Sequence, residues 1–341
     1  MRISKITAFL LTIVFGCHIN SAGAQTTTKV GTTVAQFLKI GAGARPLALG
    51  GAYTALANDI NSIYWNPAGL SLVGGKGEAT FNHADWLVDT NYDFAAASFN
   101  AGNFGSIGFQ VISFRTPEQK VRTVVSPNGT GQVWDYNAIS MGVTFSKRLT
   151  DRFSIGITGK YIQETLFNEI ARGGAFDIGV LYRTPYDKLT IGAAVTNFGT
   201  KMRLDGRDVF FNDAPLPDQG AVDEVPSKFR LDSFEIPLNL RFGIAWEVTR
   251  NENLSILAVA DGSHPNDSNE FLNSGIEIGL KDILFLRGGY KALFLDNSEE
   301  GATFGVGLKY DVVGTNLKLD FAWADYGRLD NVKFVSLAIR Y

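Results

Sequence analysis

From residue 76 to the end, the chain repeats one pattern, with apolar and polar residues alternating at a period of two. In 153–161, Phe153, Ile155, Ile157 and Tyr161 fall on one face and Ser154, Gly156, Thr158 and Lys160 on the other. In 238–247, Leu238, Leu240, Phe242, Ile244 and Trp246 oppose Asn239, Arg241, Gly243, Ala245 and Glu247. In 317–324, Leu317, Leu319, Phe321 and Trp323 oppose Lys318, Asp320, Ala322 and Ala324. A helix would scatter these sets around its axis, whereas a strand sends successive side chains to opposite sides.

Fourteen such segments are read: 76–87, 91–100, 103–115, 132–149, 152–168, 173–183, 188–198, 235–248, 253–262, 270–280, 283–294, 301–312, 316–326 and 332–341. Most reach the roughly 9 to 11 residues that a tilted strand needs to cross a bilayer. Connections after even-numbered segments are short, around Ala101-Gly102, Thr150-Asp151, Pro185-Tyr186, Arg250-Asn251, Lys281-Asp282 and Gly314-Thr315. Those after odd-numbered segments are mostly longer, above all 116–131 and 199–234. A sandwich has no reason to sort its loops by side, but an outer-membrane barrel does, with its short turns in the periplasm. The expected fold is therefore all-β, a fourteen-stranded antiparallel transmembrane β-barrel over 76–341.

Composition supports this reading and excludes others. The chain is 45% hydrophobic and 19% charged, below the roughly 25% charge of soluble domains. A formal net charge of -3 offers no basic face to nucleic acid. Residues 1–24 read as a signal peptide: Arg2 and Lys5 precede the apolar stretch 6–15, and Ala22-Gly23-Ala24 gives a small-x-small cut before Gln25. Val14-Phe15-Gly16-Cys17 is the alternative, a lipoprotein-type cut, which bulky Phe15 disfavours. Past residue 24 no run of about 18 apolar residues follows, so no transmembrane helix is expected and the exported protein is either soluble or a barrel.

Closure into a barrel pairs every backbone donor and acceptor where lipid cannot. One face of each strand then meets lipid, with Trp86, Tyr161, Tyr182, Trp246, Tyr310 and Trp323 near strand ends as interfacial girdles. The other face lines the lumen and carries Lys160, Asp177, Arg241, Glu277, Arg287, Lys309 and Asp320, which are expected to pair across it. The last strand ends with Val335, Leu337, Ile339 and Tyr341 on one face. This ending resembles the insertion signal that the barrel-assembly machinery reads in bacterial outer-membrane barrels.

Before the strands lies 41–70, GAGARPLALGGAYTALANDINSIYWNPAGL, glycine-rich and without period two. Residues 25–75 are expected to form a leader and a lumenal plug. Its plug or gating candidates are Arg45, Gly50, Gly51, Asp59, Asn66, Pro67 and Gly69. The three glycines permit tight turns against the wall, and Arg45 and Asp59 are expected to pair with lumenal charges. Ala52 to Ala57 has the composition of a helical turn or two, and Asn66-Pro67-Ala68-Gly69 reads as a turn.

Gly50-Gly51-Ala52-Tyr53 followed by Trp65-Asn66-Pro67-Ala68-Gly69, with Arg45 and Ala57-Asn58-Asp59 in order, resembles the PorV/PorQ branch of the FadL-like outer-membrane proteins. The resemblance implies the outer membrane of a Gram-negative bacterium. It also implies a role in type IX protein secretion, as a component that binds the carboxyl-terminal signal domain of cargo or joins the translocon or attachment machinery. The alternative it implies is FadL-like passive transport, with a hydrophobic small molecule or lipid in the lumen. On the first reading 199–234, rich in Asp and Pro, is the candidate cargo loop.

An enzyme is not expected. After the signal only His83 and His264 remain, neither with a neighbour at metal-ligand spacing. Gly41-x-Gly43 lacks the third glycine and the flanking strand and helix of a dinucleotide site. The oxygen ligands from Asp261 to Glu270 do not follow the order of an EF-hand loop. No cofactor is expected.

Overall fold

The computed structural model describes residues 29–186, 188–213, 225–312 and 314–341; the expected signal peptide lies outside the described residues. Fourteen long strands follow in order: β1 (Gly77–Trp86), β2 (Thr90–Asn100), β3 (Ser106–Arg115), β4 (Tyr136–Thr150), β5 (Phe153–Leu166), β6 (Glu169–Arg183) and β7 (Leu189–Gly199). They continue as β8 (Asn239–Arg250), β9 (Leu254–Pro265), β10 (Phe271–Leu280), β11 (Leu284–Leu293), β12 (Ala302–Val312), β13 (Thr315–Asp325) and β14 (Asn331–Arg340). Each pairs antiparallel with its neighbour in sequence, and β14 returns to β1 with Leu337 opposite Phe81, so the sheet closes without an edge.

The expected boundaries shift where the backbone turns. Residues 103–105 belong to a 3-10 turn before β3, with Gly102 and Gly105 at positive φ. Val133–Trp134 leaves the barrel and pairs with Gln119–Lys120 in a small separate hairpin. The long connections, 116–135 and 200–238, do share one end of the barrel. That end also carries two tight hairpins, at 87–89 and 167–168, the second because β5 and β6 extend far enough to close directly on each other.

Burial follows the alternation. On β5, Ser154, Gly156, Thr158 and Lys160 are buried while Ile155, Ile157 and Tyr161 are exposed on the outer face. On β14, Val335, Leu337 and Ile339 face outward, as expected, with exposed Tyr341 beyond them. Of the girdle candidates, Tyr161, Tyr182, Trp246 and Tyr310 stand exposed, and Trp323 stacks on outward Phe304. Trp86 is a correction. On β1 the even-numbered residues Glu78, Thr80, Asn82 and Ala84 are buried inside, and Trp86 shares their face, packing edge-on against Tyr326 and Phe334.

Residues 29–76 run through the lumen. They enter at the long-loop end, where Val34 N–H donates to Glu235 O (2.9 Å), and leave at the short-turn end, where Lys76 N–H donates to Tyr341 O (2.7 Å). Short helical pieces lie at Gln36–Lys39, Ala44–Ala48, Ser62–Trp65 and Pro67–Leu72. The expected helix over 52–57 is a single turn closed by Ala57 N–H on Tyr53 O. The Asp261 carboxylate caps the start of that turn, taking the otherwise unpaired N–H groups of Tyr53 and Thr54, at 2.8 and 2.7 Å. The expected turn at Asn66-Pro67 instead opens a 3-10 helix: the Asn66 side chain accepts from Ala68 N–H, and proline at the first position gives up no bonded amide.

Candidate functional site: the lumenal segment and its wall

The segment lies directly against wall backbone because the strands place glycine where it touches. A Cβ on Gly156 would overlap Pro67, one on Gly179 would overlap Asn66, and one on Gly192 would lie 2.8 Å from Ala55 Cα. The same holds on the other side of the barrel, where Gly275 meets Leu49 and Gly305 meets Ala48. Wall hydroxyls then fasten the backbone. Thr303 Oγ1 accepts from Gly50 N–H and donates to Ala48 O, Ser336 Oγ accepts from Ala44 N–H, and Ser146 Oγ donates to Ala68 O.

At the short-turn end a chain of charges joins segment to wall. Arg45 meets Glu277 in a two-pronged contact, Nε to Oε2 at 2.8 Å and Nη2 to Oε1 at 2.9 Å. Its Nη1 donates to Tyr53 Oη (3.0 Å), Asn58 Oδ1 (2.9 Å) and Asp59 Oδ2 (3.0 Å). Arg287 continues the chain, bonding Glu277 and Asp320, each at 2.6 Å. Arg45 thus reaches the lumenal charges as expected. Asp59 does not: it stays within the segment, held by Arg45, Tyr53 Oη and Asn61 N–H. Its position behind Arg45 leaves the wall carboxylates to the two arginines.

The remaining expected residues spread around these contacts. Lys160 pairs with Asp177 (2.6 Å) and bonds Asn197, on the loop side. Lys309 sits at the turn-side rim with Asp282. Gly50 and Gly51 have positive φ, and a Cβ on Gly50 would lie 2.5 Å from Tyr290 O, so that glycine does make a turn against the wall. Gly69 packs on Ala57 within the segment instead, because the chain folds back on itself there. Pro67 packs against β5 at Gly156, and Asn66 Nδ2 donates to Thr54 O and Val180 O.

Sequence reasoning assigned no contact to Tyr53, read only as part of the Gly50-Gly51-Ala52-Tyr53 motif, nor to Asp261, Thr303, Ser336 and the wall glycines, whose only signal was their parity on strands with known faces. It also missed Asp267, in the connection 266–270, which binds Thr33 Oγ1 (2.6 Å), Gln36 Nε2 (3.0 Å) and Lys39 Nζ (2.9 Å). Burial works to raise the Asp267 pKa, but these donors outweigh it and hold it below the ordinary 3.8.

Cavities remain on both sides of the segment. At the turn end lie one of about 220 Å³ between Arg45, Asn58, Arg287, Lys318 and Asp320, and one of about 430 Å³ beside Leu56, Leu72, Arg183 and Leu257. At the loop end lie one of about 530 Å³ beside Phe37, Trp86, Phe114 and Tyr136, and one of about 220 Å³ beside Tyr64, Trp65, Arg241 and Lys291. The described residues contain no group of three or more His, Cys, Asp or Glu arranged to hold a metal ion.

The fold is similar to that of the Pseudomonas putida toluene transporter TodX, with a TM-score of 0.57 and 13% identity, over 88% of this chain and 97% of that one. The Ralstonia pickettii toluene transporter TbuX is similar at a TM-score of 0.52 and 15% identity, over 88% and 97% of the two chains. A Pseudomonas aeruginosa FadL homologue gives 0.50 and 14%, over 93% and 98%. At these identities the likeness is one of fold. Among curated proteins no sequence matches significantly. Residues 23–209, more than half of the chain, match the family described as type IX secretion system protein PorV. The chain belongs to the PorV family and shares the barrel fold of these proteins.

Proposed function

We propose that the protein is a non-enzymatic outer-membrane component of type IX protein secretion in a Gram-negative bacterium, with residues 29–76 acting as its plug. It engages the carboxyl-terminal signal domain of cargo, or the translocon and attachment machinery, from the long-loop side. The observation that carries this reading, beside the family match, is the occupied lumen. The two turn-side cavities share no lining residue with the two at the loop end, and buried Ala42, Ala44, Leu47, Leu49 and Tyr53 pack through the middle. A barrel filled in this way is suited to working through its surfaces. The connection 200–238 offers such a surface, with Phe211 stacked on Phe229 at 4.4 Å between ring centres and Phe210 and Phe234 exposed beside them. The outward Val335, Leu337, Ile339 and terminal Tyr341 serve insertion by the barrel-assembly machinery.

Passive transport of a hydrophobic molecule is the second reading. It is favoured by a lipid-facing apolar groove of about 380 Å³ lined by Leu240, Phe242, Leu272 and Phe294. Deleting the gene in its native host separates the two. Proteins bearing type IX carboxyl-terminal signals are expected to stop reaching the cell surface; unchanged delivery with lost uptake of a hydrophobic compound would overturn the secretion reading.

A further inference from the structure

Among the described residues each buried cation of the lumen but one has an anionic partner: Arg45 and Arg287 share Glu277, Lys160 has Asp177, and Lys291 has Glu300 at 2.6 Å. The exception is Arg241, on the inner face of β8 and only 8% exposed. Among the described residues its side chain makes no hydrogen bond or ion pair, and its Nη1 is enclosed without an acceptor. Its guanidinium lies over the rings of Trp65 (5.0 Å) and Tyr64 (5.9 Å), which attract the charge but take none of its five N–H groups. The nearby Asp261 carboxylate spends one oxygen on the N–H groups of Tyr53 and Thr54, and its other oxygen is buried without a hydrogen bond and makes none to Arg241. A charge withdrawn from water without a hydrogen-bonding partner is strongly unfavourable.

Arg241 lines the loop-side cavity of about 220 Å³, which also presents Ser263, Asn273, Lys291 and Asn197, together with the carboxylates of Asp267 and Glu300, already paired with Lys39 and Lys291. Ser263 stands directly opposite Arg241 in the strand register. We propose that this cavity is a binding site for a small oxyanion, a carboxylate or a phosphate, held by Arg241. The planar guanidinium matches two oxygens of such a group, and Ser263, Asn273 and Lys291 add donors around it. The volume fits a compact anion and lies below the roughly 300–1,000 Å³ of pockets that enclose drug-sized ligands. The bound anion completes Arg241 while Arg241 covers Trp65, so occupancy stabilises the lumenal segment against the wall.

The test uses the full barrel refolded in zwitterionic detergent, in chloride buffer of constant ionic strength. Acetate and inorganic phosphate are titrated separately while following tryptophan fluorescence and the temperature at which the compact form is lost on electrophoresis. At least one of the two is expected to bind saturably and raise that temperature. Arg241→Gln is expected to abolish the effect, and Arg241→Lys to weaken it at least tenfold. Ser263→Asp sets a carboxylate opposite Arg241, and is expected to raise the temperature without added anion and to remove the response to it. Absence of saturable binding, or equal binding by Arg241→Gln, overturns the proposal. If Arg241→Gln does not refold, an undiminished anion response in Ser263→Asp overturns it. Dodecanoate binding more than tenfold tighter than acetate also overturns it, because the site then belongs to an amphiphile.

Discussion

Two buried arginines join the lumenal segment to the barrel in opposite ways. Arg45 reaches from the segment to the wall and spends its donors on Glu277, Tyr53, Asn58 and Asp59. Arg241 reaches from the wall to the segment and meets only the faces of Trp65 and Tyr64. Matched charges and hydrogen bonds fix one geometry, since each partner is lost if the group rotates or slides. Ring faces accept a cation over a range of positions. The turn end of the segment is therefore an anchor, and the loop end, tied at its first residues by Asp267 but meeting Arg241 only through ring faces beside two cavities, is the more adjustable one.

The largest expected effect comes from breaking the anchor. Arg45→Ala leaves Glu277 with Arg287 alone and Asp59 with only Tyr53 Oη and Asn61 N–H, all within the lumen. Removing one partner of a buried ion pair destabilises by about 3 kcal/mol or more. The variant is expected to unfold at lower urea concentration and to conduct ions measurably more than the parent in planar bilayers. Arg241→Gln, without an ion pair to lose, is expected to leave conductance close to the parental value. Equal conductance of Arg45→Ala and the parent would remove the anchor from the comparison.

A second test addresses the contact between the two ends, where the segment touches wall glycines. Gly192 faces inward against Thr54 and Ala55, while Gly159, on the outer face of β5, has nothing nearer its missing Cβ than Phe176 at 3.8 Å. Gly192→Ala forces backbone apart and is expected to cost about 1–3 kcal/mol. Gly159→Ala is expected to change stability by less than about 0.5 kcal/mol. Comparing their urea midpoints after refolding into vesicles checks the pair, and equal losses would show that the close approach of segment to wall is not what the inward glycine serves.

These glycines also show where the sequence stops being legible. Period two alone places Gly156 and Gly243 inside, beside Lys160 and Arg241, because parity is a property of the strand itself. What each inward residue touches depends on how a separate stretch of chain lies across the lumen, and no local pattern encodes that. Strand existence was readable for the same reason, and the partners of Arg45 were not. Glu277 became its partner only once β10 and the segment were both in place. Trp86 shows the reverse error: an aromatic at a strand end suggested the lipid interface, while its even number on β1 already assigned it to the lumen.

The smallest expected effect is at the adjustable end, where Asp267 holds the first residues of the segment through Thr33, Gln36 and Lys39. Its pKa in the fold lies below the ordinary 3.8, so the ionised carboxylate favours the folded contact. That contribution is fully present above 3.8 and is lost as pH falls through the lower folded value. Amides of 37–39 are therefore expected to exchange slowly from neutral pH down to about pH 4 and to lose protection under stronger acid, after allowance for the intrinsic pH dependence of exchange. Asp267→Asn keeps the shape and removes the charge, and is expected to loosen these amides by about 1 kcal/mol at neutral pH and to abolish the acid step. Amides around Arg45 serve as the internal reference. Should both ends lose protection together in Asp267→Asn, the segment moves as one body, and the distinction between an anchored and an adjustable end fails.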